Sequence, residues 1–359
     1  MKLLLYGDTH WSAYSSIVRS RGKKYSSRLE NLIQSVNWAE KTAKENNCDA
    51  IVCLGDFFDK PELNSEELTA LQEIEWSKDI IHYFIVGNHE SPLTTLDYNS
   101  TNVLRKENFI IVDKPQRLIS YGIDILFVPY IVEENRKSIS DYWRETNEPS
   151  TFVTQELKKL IILSHNDIKG IRYGAFESKE GFDLKDIEAH CDLFINGHLH
   201  NSSFLNNKET ILNLGNLTGQ NFGEDAFKYN HSACILDTNN LKLTFYENPI
   251  AFNFYKIKIE KEQDLDLLKQ LKQNAIVSFT CKDILVEALR NKIQNYSNIV
   301  ETRIVIFKEI TKLETDDQQI ISINDVDHLK QFSEFVLDKL GASNLVKEEL
   351  SQIIQGVNE

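Results

Sequence analysis

Five short apolar runs constrain this chain more than any other feature, because each is followed, at or just after a small residue, by acidic, amide or imidazole side chains. Residues 2–6 lead into Gly7-Asp8-Thr9-His10, and 50–54 into Gly55-Asp56-Phe57-Phe58-Asp59. Residues 82–86 lead into Gly87-Asn88-His89-Glu90, 160–163 into Ser164-His165, and 193–195 towards Gly197-His198-Leu199-His200. Runs this short and this continuously apolar suit strands of a covered sheet. Polar groups just past the carboxyl ends of such strands are where α/β folds bind ligands. Glycine at these turns allows tight bends and close approach of backbone to ligand.

The residue types narrow the chemistry. Asp8, Asp56, Asn88, His10, His165, His198 and His200 form a mixed carboxylate, amide and imidazole set. Such a set suits a pair of divalent cations, with Mn²⁺ the first expectation and Mg²⁺ the second. A pure Ca²⁺ or Mg²⁺ site favours oxygen alone, and a structural zinc site favours thiolates. Paired cations neutralise a phosphate ester and acidify water near it, so hydrolysis of phosphate esters is the expected reaction. His82, His190, His231 and His328 lack such company and read as structural or surface residues.

The motif order D-x-H, G-D-x-x-D, G-N-H-E, a lone His after a strand, and G-H-x-H resembles the calcineurin-like metallophosphoesterases over residues 1–246. The resemblance implies that Asp8, His10, Asp56 and His200 hold one metal, that Asp56 bridges, and that Asn88, His165 and His198 complete the second site. It implies that His89 is catalytic, facing the scissile phosphate rather than a metal. Residues 163–170 and 196–223 are further similar to the SbcD-type DNA repair nucleases, above all the phage-encoded recombination nuclease subunits. Some relatives carry His where this chain has Asp59, and others carry Asp where it has Glu90.

The fold class expected is α/β: a two-sheet metallophosphoesterase sandwich flanked by helices, with a small α+β capping domain and C-terminal helices. Apolar spacing predicts a helix over 27–46, in β-α-β connection with its neighbours. Another is predicted over 64–77, with Asn64 as N-cap and Glu67 completing a capping box. Shorter helices are predicted over 97–106 and 133–144, and strands over 109–112 and 123–128. The runs 203–205, 210–212, 233–237 and 242–246 read as an antiparallel second sheet. Residues 170–186 either line the substrate cleft or pack aromatics beneath a loop.

Four segments are expected: a nuclease domain over 1–248, a capping domain over 249–308, a linker over 309–324 and a helical segment over 325–357. The capping domain reads β-α-β-α-β, with strands 252–260, 275–280 and 300–307 and helices 263–273 and 284–295. The last segment carries two apolar stripes that must be covered, by the chain's own domain or by a partner groove. The resemblance implies the partner, the coiled-coil base of an SbcC-type ATPase, and also a homodimer.

The formal net charge of −14 argues against general coating of DNA. A local exception is the stretch 11–29, with Arg19, Arg21, Lys23, Lys24, Arg28 and no acidic residue, interleaved with Trp11, Tyr14 and Tyr25. It reads either as a DNA-backbone contact or as a solvated loop. The five cysteines lack CxxC spacing and read as reduced thiols of a cytoplasmic protein, in the bacterial host if phage-encoded. No apolar run reaches the roughly 18–20 residues of a membrane span. The N-terminal run reads as a strand and not as a secretory signal.

The leading expectation is a metal-dependent DNA nuclease subunit, exonuclease on duplex ends and endonuclease on single strands, as the resemblance implies. The alternatives are a phosphatase or cyclic-nucleotide phosphodiesterase, which keeps the chemistry and changes the substrate, and a non-catalytic scaffold. The basic loop, cap and C-terminal helices favour the nuclease.

Overall fold

The computed structural model describes residues 1–92, 96, 98–120, 123–146, 159–173 and 176–307. The chain divides into the units Met1–Lys308 and Glu309–Glu359. The expected linker and C-terminal helices lie outside the described residues.

In chain order the first half comprises β1 (Lys2–Tyr6), α1 (Ser27–Glu45), β2 (Ala50–Cys53), α2 (Ser65–Ala70), β3 (Ile81–Ile85), β4 (Phe109–Val112), β5 (Gln116–Ser120), β6 (Ile123–Val128), α3 (Ile139–Glu145) and β7 (Lys159–Ser164). There follow β8 (Arg172–Tyr173), β9 (Phe176–Glu177), α4 (Leu184–His190), β10 (Leu193–Asn196), β11 (Ser203–Phe204), β12 (Ile211–Asn213), β13 (Ser232–Asp237) and β14 (Lys242–Glu247). The segment expected as a cap contributes β15 (Asn253–Ile259), β16 (Ala275–Lys282), α5 (Val286–Ile293) and β17 (Ile299–Phe307), within the unit Met1–Lys308.

Two six-stranded sheets form, ordered β14-β13-β1-β2-β3-β4 and β11-β12-β10-β7-β6-β5. Each has a parallel four-stranded part, β1-β2-β3-β4 in one and β12-β10-β7-β6 in the other. Alternation along the strands builds the layers. Leu3 and Leu5 point between the sheets, where they join Val52, Leu54, Ile85, Phe127, Ile161, Leu163 and Ile195. Leu4 and Tyr6 point outward to Leu29, Leu32 and Val36 of α1. On the other outer face Leu126, Ile162 and Phe194 meet Ile139 and Tyr142 of α3 and Ile187 of α4. The two-sheet sandwich with outer helices is therefore the observed fold.

Several local expectations change. The four runs read as one antiparallel sheet are split. β11 and β12 extend the second sheet, and β12 is parallel to β10, whereas β13 and β14 extend the first sheet beside β1. The helix expected over 64–77 starts with the Asn64–Glu67 capping box but runs only from Ser65 to Ala70 before tightening into a 3₁₀ turn, Leu71–Glu73. The helix expected over 97–106 is a 3₁₀ turn at Ser100–Leu104, and the one over 263–273 is a 3₁₀ helix at Glu262–Gln270. The one over 133–144 divides into a 3₁₀ turn at Glu133–Asn135 and α3, whose N-cap is Ser138. Phe182, from the stretch 170–186, is buried against Tyr142.

The cap is a parallel sheet, β15-β16-β17, with α5 and the 3₁₀ helix over its apolar face. Val18 packs against Phe252, Phe254 and Ile276, and the Arg19 amide reaches the Glu301 carboxylate at 3.3 Å, so the loop after the first motif is fastened to the cap. All five cysteines are free. Among the described residues no helix is long and apolar enough to cross a membrane.

Candidate metal centre

Both sheets deliver side chains to one place. β1, β2 and β3 of the first sheet end at Asp8 and His10, at Asp56, and at Asn88 and His89. β7 and β10 of the second sheet end at His165 and at His198 and His200. The two sets meet across the seam, with Asp56 Oδ2 lying 3.1 Å from His165 Nε2.

The turns that bring them together are strained. Asp8, His10, Asp56 and His198 all have positive φ, between 47° and 75°. Such backbone costs on the order of 1–3 kcal/mol per residue and persists where the surroundings enforce it. Gly55 has φ +105°, and a Cβ there would lie 2.2 Å from the His165 ring. At Gly87 a Cβ would lie 2.1 Å from Asp56 Oδ1. Both positions exclude any side chain.

The donors fall into two clusters. In one, ligand atoms of Asp8, His10 and His200 lie within 4.8 Å of one another, as do those of Asp56, His165 and His198 in the other. Around His165 Nε2 the second is tighter still, with Asn88 Oδ1 and His198 Nδ1 each at 3.2 Å. Asp56 stands between the clusters, 3.8 Å from His10 Nε2.

Each of the four imidazoles has one nitrogen held by an oxygen that can only accept, so that nitrogen carries a proton and the other faces the cluster. His10 Nδ1 donates to Asp59 Oδ1 at 3.0 Å, and His165 Nδ1 to the Leu54 carbonyl at 2.8 Å. His198 Nε2 donates to Asp167 at 3.1 Å, and His200 Nδ1 to Glu224 at 3.0 Å. This is how metal-ligating histidines are held. Asp167 and Glu224 were not singled out by sequence. The signal available for Asp167 was its place two residues after His165.

The residues present fit a pair of cations on a separate count. Both carboxylate oxygens of Asp8 and Nε2 of His10 are buried with no hydrogen-bond partner. Buried polar atoms are nearly always satisfied, and three unmet acceptors gathered in one cluster are consistent with a place for an ion.

Electrostatics agree with the geometry. Burial opposes charge on Asp56, but His165, His10 and His89 outweigh it and hold the carboxyl well below its usual range. Burial likewise opposes protonation of His165, and Asp56 reverses it, raising the ring to about 9. Burial alone dominates at His10 and lowers it. Glu90 is fully buried and accepts from the amides of Gly87 at 2.6 Å and Phe58 at 3.1 Å, tying two ligand loops together. Burial and then Asp56 push its carboxyl up to about 8.

His89 differs from the other histidines of the site. Its side chain is 43% exposed, its amide donates to Asp56 Oδ1 at 3.0 Å, and its Nδ1 donates to the Asp59 carbonyl at 3.0 Å. Asp59, 39% exposed, sits between the His10 and His89 rings, which meet edge to face at 4.6 Å.

The cations of the 11–29 stretch are placed unequally. Arg28 is only 4% exposed and donates to the carbonyls of Gly219 at 2.7 Å and Thr9 at 3.3 Å, so it is a structural brace and not a surface contact. Burial lowers its guanidinium to about 10. Arg21 pairs with Glu66 at 3.0 Å and Lys24 with Glu73, while Arg19 and Lys23 are exposed. Of the interleaved aromatics Trp11 and Tyr25 are buried, and Tyr14 is exposed. His82 is buried on Glu40 at 2.8 Å and His231 on Asn216 at 2.6 Å, both structural.

Among solved structures the chain is similar to a dimetal phosphatase from Danio rerio, at 11% identity, over 69% of this chain and 99% of that one, with a TM-score of 0.40. No curated protein matches it. The family described as calcineurin-like phosphoesterase matches residues 1–202. With more than half of its length matched, the chain belongs to the calcineurin-like phosphoesterase family.

Proposed function

We propose that this metallophosphoesterase is a DNA nuclease subunit of the SbcCD type, cutting phosphodiesters at duplex ends and in single strands. The observation that carries the reading is the openness of the reacting face beside a fastened cap. His89 and Asp59 are solvent-facing, and the loop leaving the first metal motif is bound to the cap sheet through Val18 and Arg19. A polymer needs such an open face with an extended rim.

Asp8, His10, Asp56 and His200 would hold one cation, and Asp56, Asn88, His165 and His198 the other. Bound there, two divalent cations, Mn²⁺ in the first instance, supply neutralisation of the phosphate and acidified water. The chain's own part is positioning. His89, anchored through Nδ1 on the Asp59 carbonyl, keeps Nε2 for the proton that the departing sugar oxygen takes up. Glu90 holds the Gly87 and Phe58 turns so that Asn88 and Asp56 face one another.

A second reading, a phosphatase or phosphodiesterase of small substrates, is favoured by one observation. Arg21 and Lys24 are already paired with acids on a chain of net charge −14. The test is cleavage of end-labelled double- and single-stranded DNA with Mn²⁺, beside a chromogenic phosphodiester. DNA cleavage supports the nuclease. Turnover of the small ester alone, even with an ATPase partner added, supports the second reading. The partner proposed for residues 325–357 is an SbcC-type ATPase, and truncation at Asp317 should abolish its capture. A homodimer is proposed as the working state, with sedimentation as its check.

A further inference from the structure

Behind the first cation cluster runs a strap, residues 216–227, that supplies none of the candidate ligands and buries Asn216, Leu217, Thr218, Glu224 and Ala226. Gln220 Nε2 donates to the Asp8 carbonyl at 2.8 Å. Arg28, from α1, joins the Thr9 carbonyl to the Gly219 carbonyl. Glu224 is 4% exposed, and its two oxygens are fully engaged. Oε1 accepts from His200 Nδ1 and from Asn216 Nδ2, each at 3.0 Å, and Oε2 accepts from the Gln220 amide at 3.0 Å. Asn216 is held in turn by His231 at 2.6 Å. The strap is hung on β15, through Gly219 N to Phe252 O at 3.0 Å, Ala226 N to Phe254 O at 3.1 Å, and the Phe222 ring against Phe254.

A carboxylate is costly to bury unless its hydrogen bonds are met, and here every bond it makes leads towards the first cluster or the strap itself. We propose that Glu224 is a positioning residue of the first cation site. It fixes the His200 ring with Nδ1 protonated and the other nitrogen free, while Gln220 and Arg28 hold the Asp8-Thr9-His10 turn from the same strap. The second site, built from Asn88, His165 and His198 with Asp56, receives no bond from it. Glu224 therefore governs one cation and not the other.

The experiment is calorimetric titration of Mn²⁺ into the metal-free full-length chain, with thermal melts alongside. Wild type is expected to show two binding steps. In Glu224→Ala one step weakens by about 10- to 100-fold, the usual cost of removing a partner that orients a ligand, and the other is unchanged. Glu224→Gln keeps the volume but has one acceptor oxygen in place of two and no charge, so its three donors cannot all be met, and it is expected to weaken the same step; it decides the matter if the alanine variant does not fold. Glu40→Gln is the control. Glu40 is as deeply buried but bonds to His82 and Ser77, so its variant melts earlier and still binds two ions normally.

Two undiminished steps in the Glu224 variants would overturn the proposal, as would equal weakening of both steps with the loss of stability seen for Glu40→Gln. The inference rests on the metal reading of the site. A wild type that binds fewer than two ions defeats that reading and the strap together, whereas two ions in wild type and variants alike defeat the strap alone.

Discussion

Asp56 and His165 come from different sheets and bind one another, carboxylate to Nε2, at 3.1 Å. Burial opposes charge on both groups, and their attraction, joined by neighbouring charges, works against it, raising the His165 ring and lowering the Asp56 carboxyl. The folded pKa of His165 is raised, so its contribution to stability is complete below the ordinary histidine value and is lost as pH rises through about 9. The folded pKa of Asp56 is lowered, so its contribution is present above the ordinary carboxyl value and lost only in strong acid. A cation must displace the His165 proton. Mn²⁺ affinity is therefore expected to rise between pH 7 and pH 9, with proton release. Calorimetry in buffers of different ionisation enthalpy reads that proton, and a pH-independent affinity without proton release would remove the claim.

His89→Ala is expected to lower phosphodiester cleavage by about 10²- to 10⁴-fold, the range for a lost general acid, while leaving two metals bound. Elemental analysis beside cleavage rates checks this. Loss of a metal together with activity would make His89 a ligand instead, through the His10, Asp59 and His89 group that lies beside the first cluster.

Asp8 carries two buried carboxylate oxygens with no partner in the metal-free chain. Asp8→Asn is expected to stabilise that form by about 1–3 kcal/mol, since it removes the charge from a buried group whose oxygens have no hydrogen-bond partner. The same variant is expected to lose the upward shift of the thermal midpoint that Mn²⁺ gives to wild type. Melts with chelator and with Mn²⁺ separate the two effects, and a lower midpoint for the metal-free variant would contradict the first.

The loops that form the candidate clusters were legible in the sequence for a physical reason. A covered strand must be apolar until it ends, so the first polar residues after it announce the site. Which sheet a run joins left no such trace: β12 and β13 are equally apolar, yet they extend different sheets. The holding acids were harder still. Asp59 closes the second motif and Asp167 follows His165 by two residues, but Glu224 sits in a loop without periodicity, where only the need of His200 for an acceptor on its second nitrogen points to it. The burial of Arg28 left little trace beside its cationic neighbours. The phase of α1 carried the correction, since Arg28 falls four and seven residues before Leu32 and Ser35, both on the buried face.

Gly55→Ala is expected to damage the second cation site first. The added Cβ falls on the His165 ring, and φ +105° is unfavourable for any L side chain. A destabilisation of about 1–3 kcal/mol from the backbone alone is expected, together with weakening of the Mn²⁺ step that depends on His165. Denaturant melts and the two-step titration measure both. Unaltered binding would show that His165 can shift without loosening its ion.

The division of the ligands between two sheets has a consequence for the newly made chain. Asp8 and His10 lie about half the chain away from His198 and His200, and each cluster draws on both sheets. Synthesis runs from the N-terminus, so the early ligands leave the ribosome long before their partners exist. Neither half of the sandwich can gather a complete ligand set alone. Hydrolytic power therefore waits for both sheets to form and meet, and a chain cut short before residue 198 holds neither candidate cluster complete.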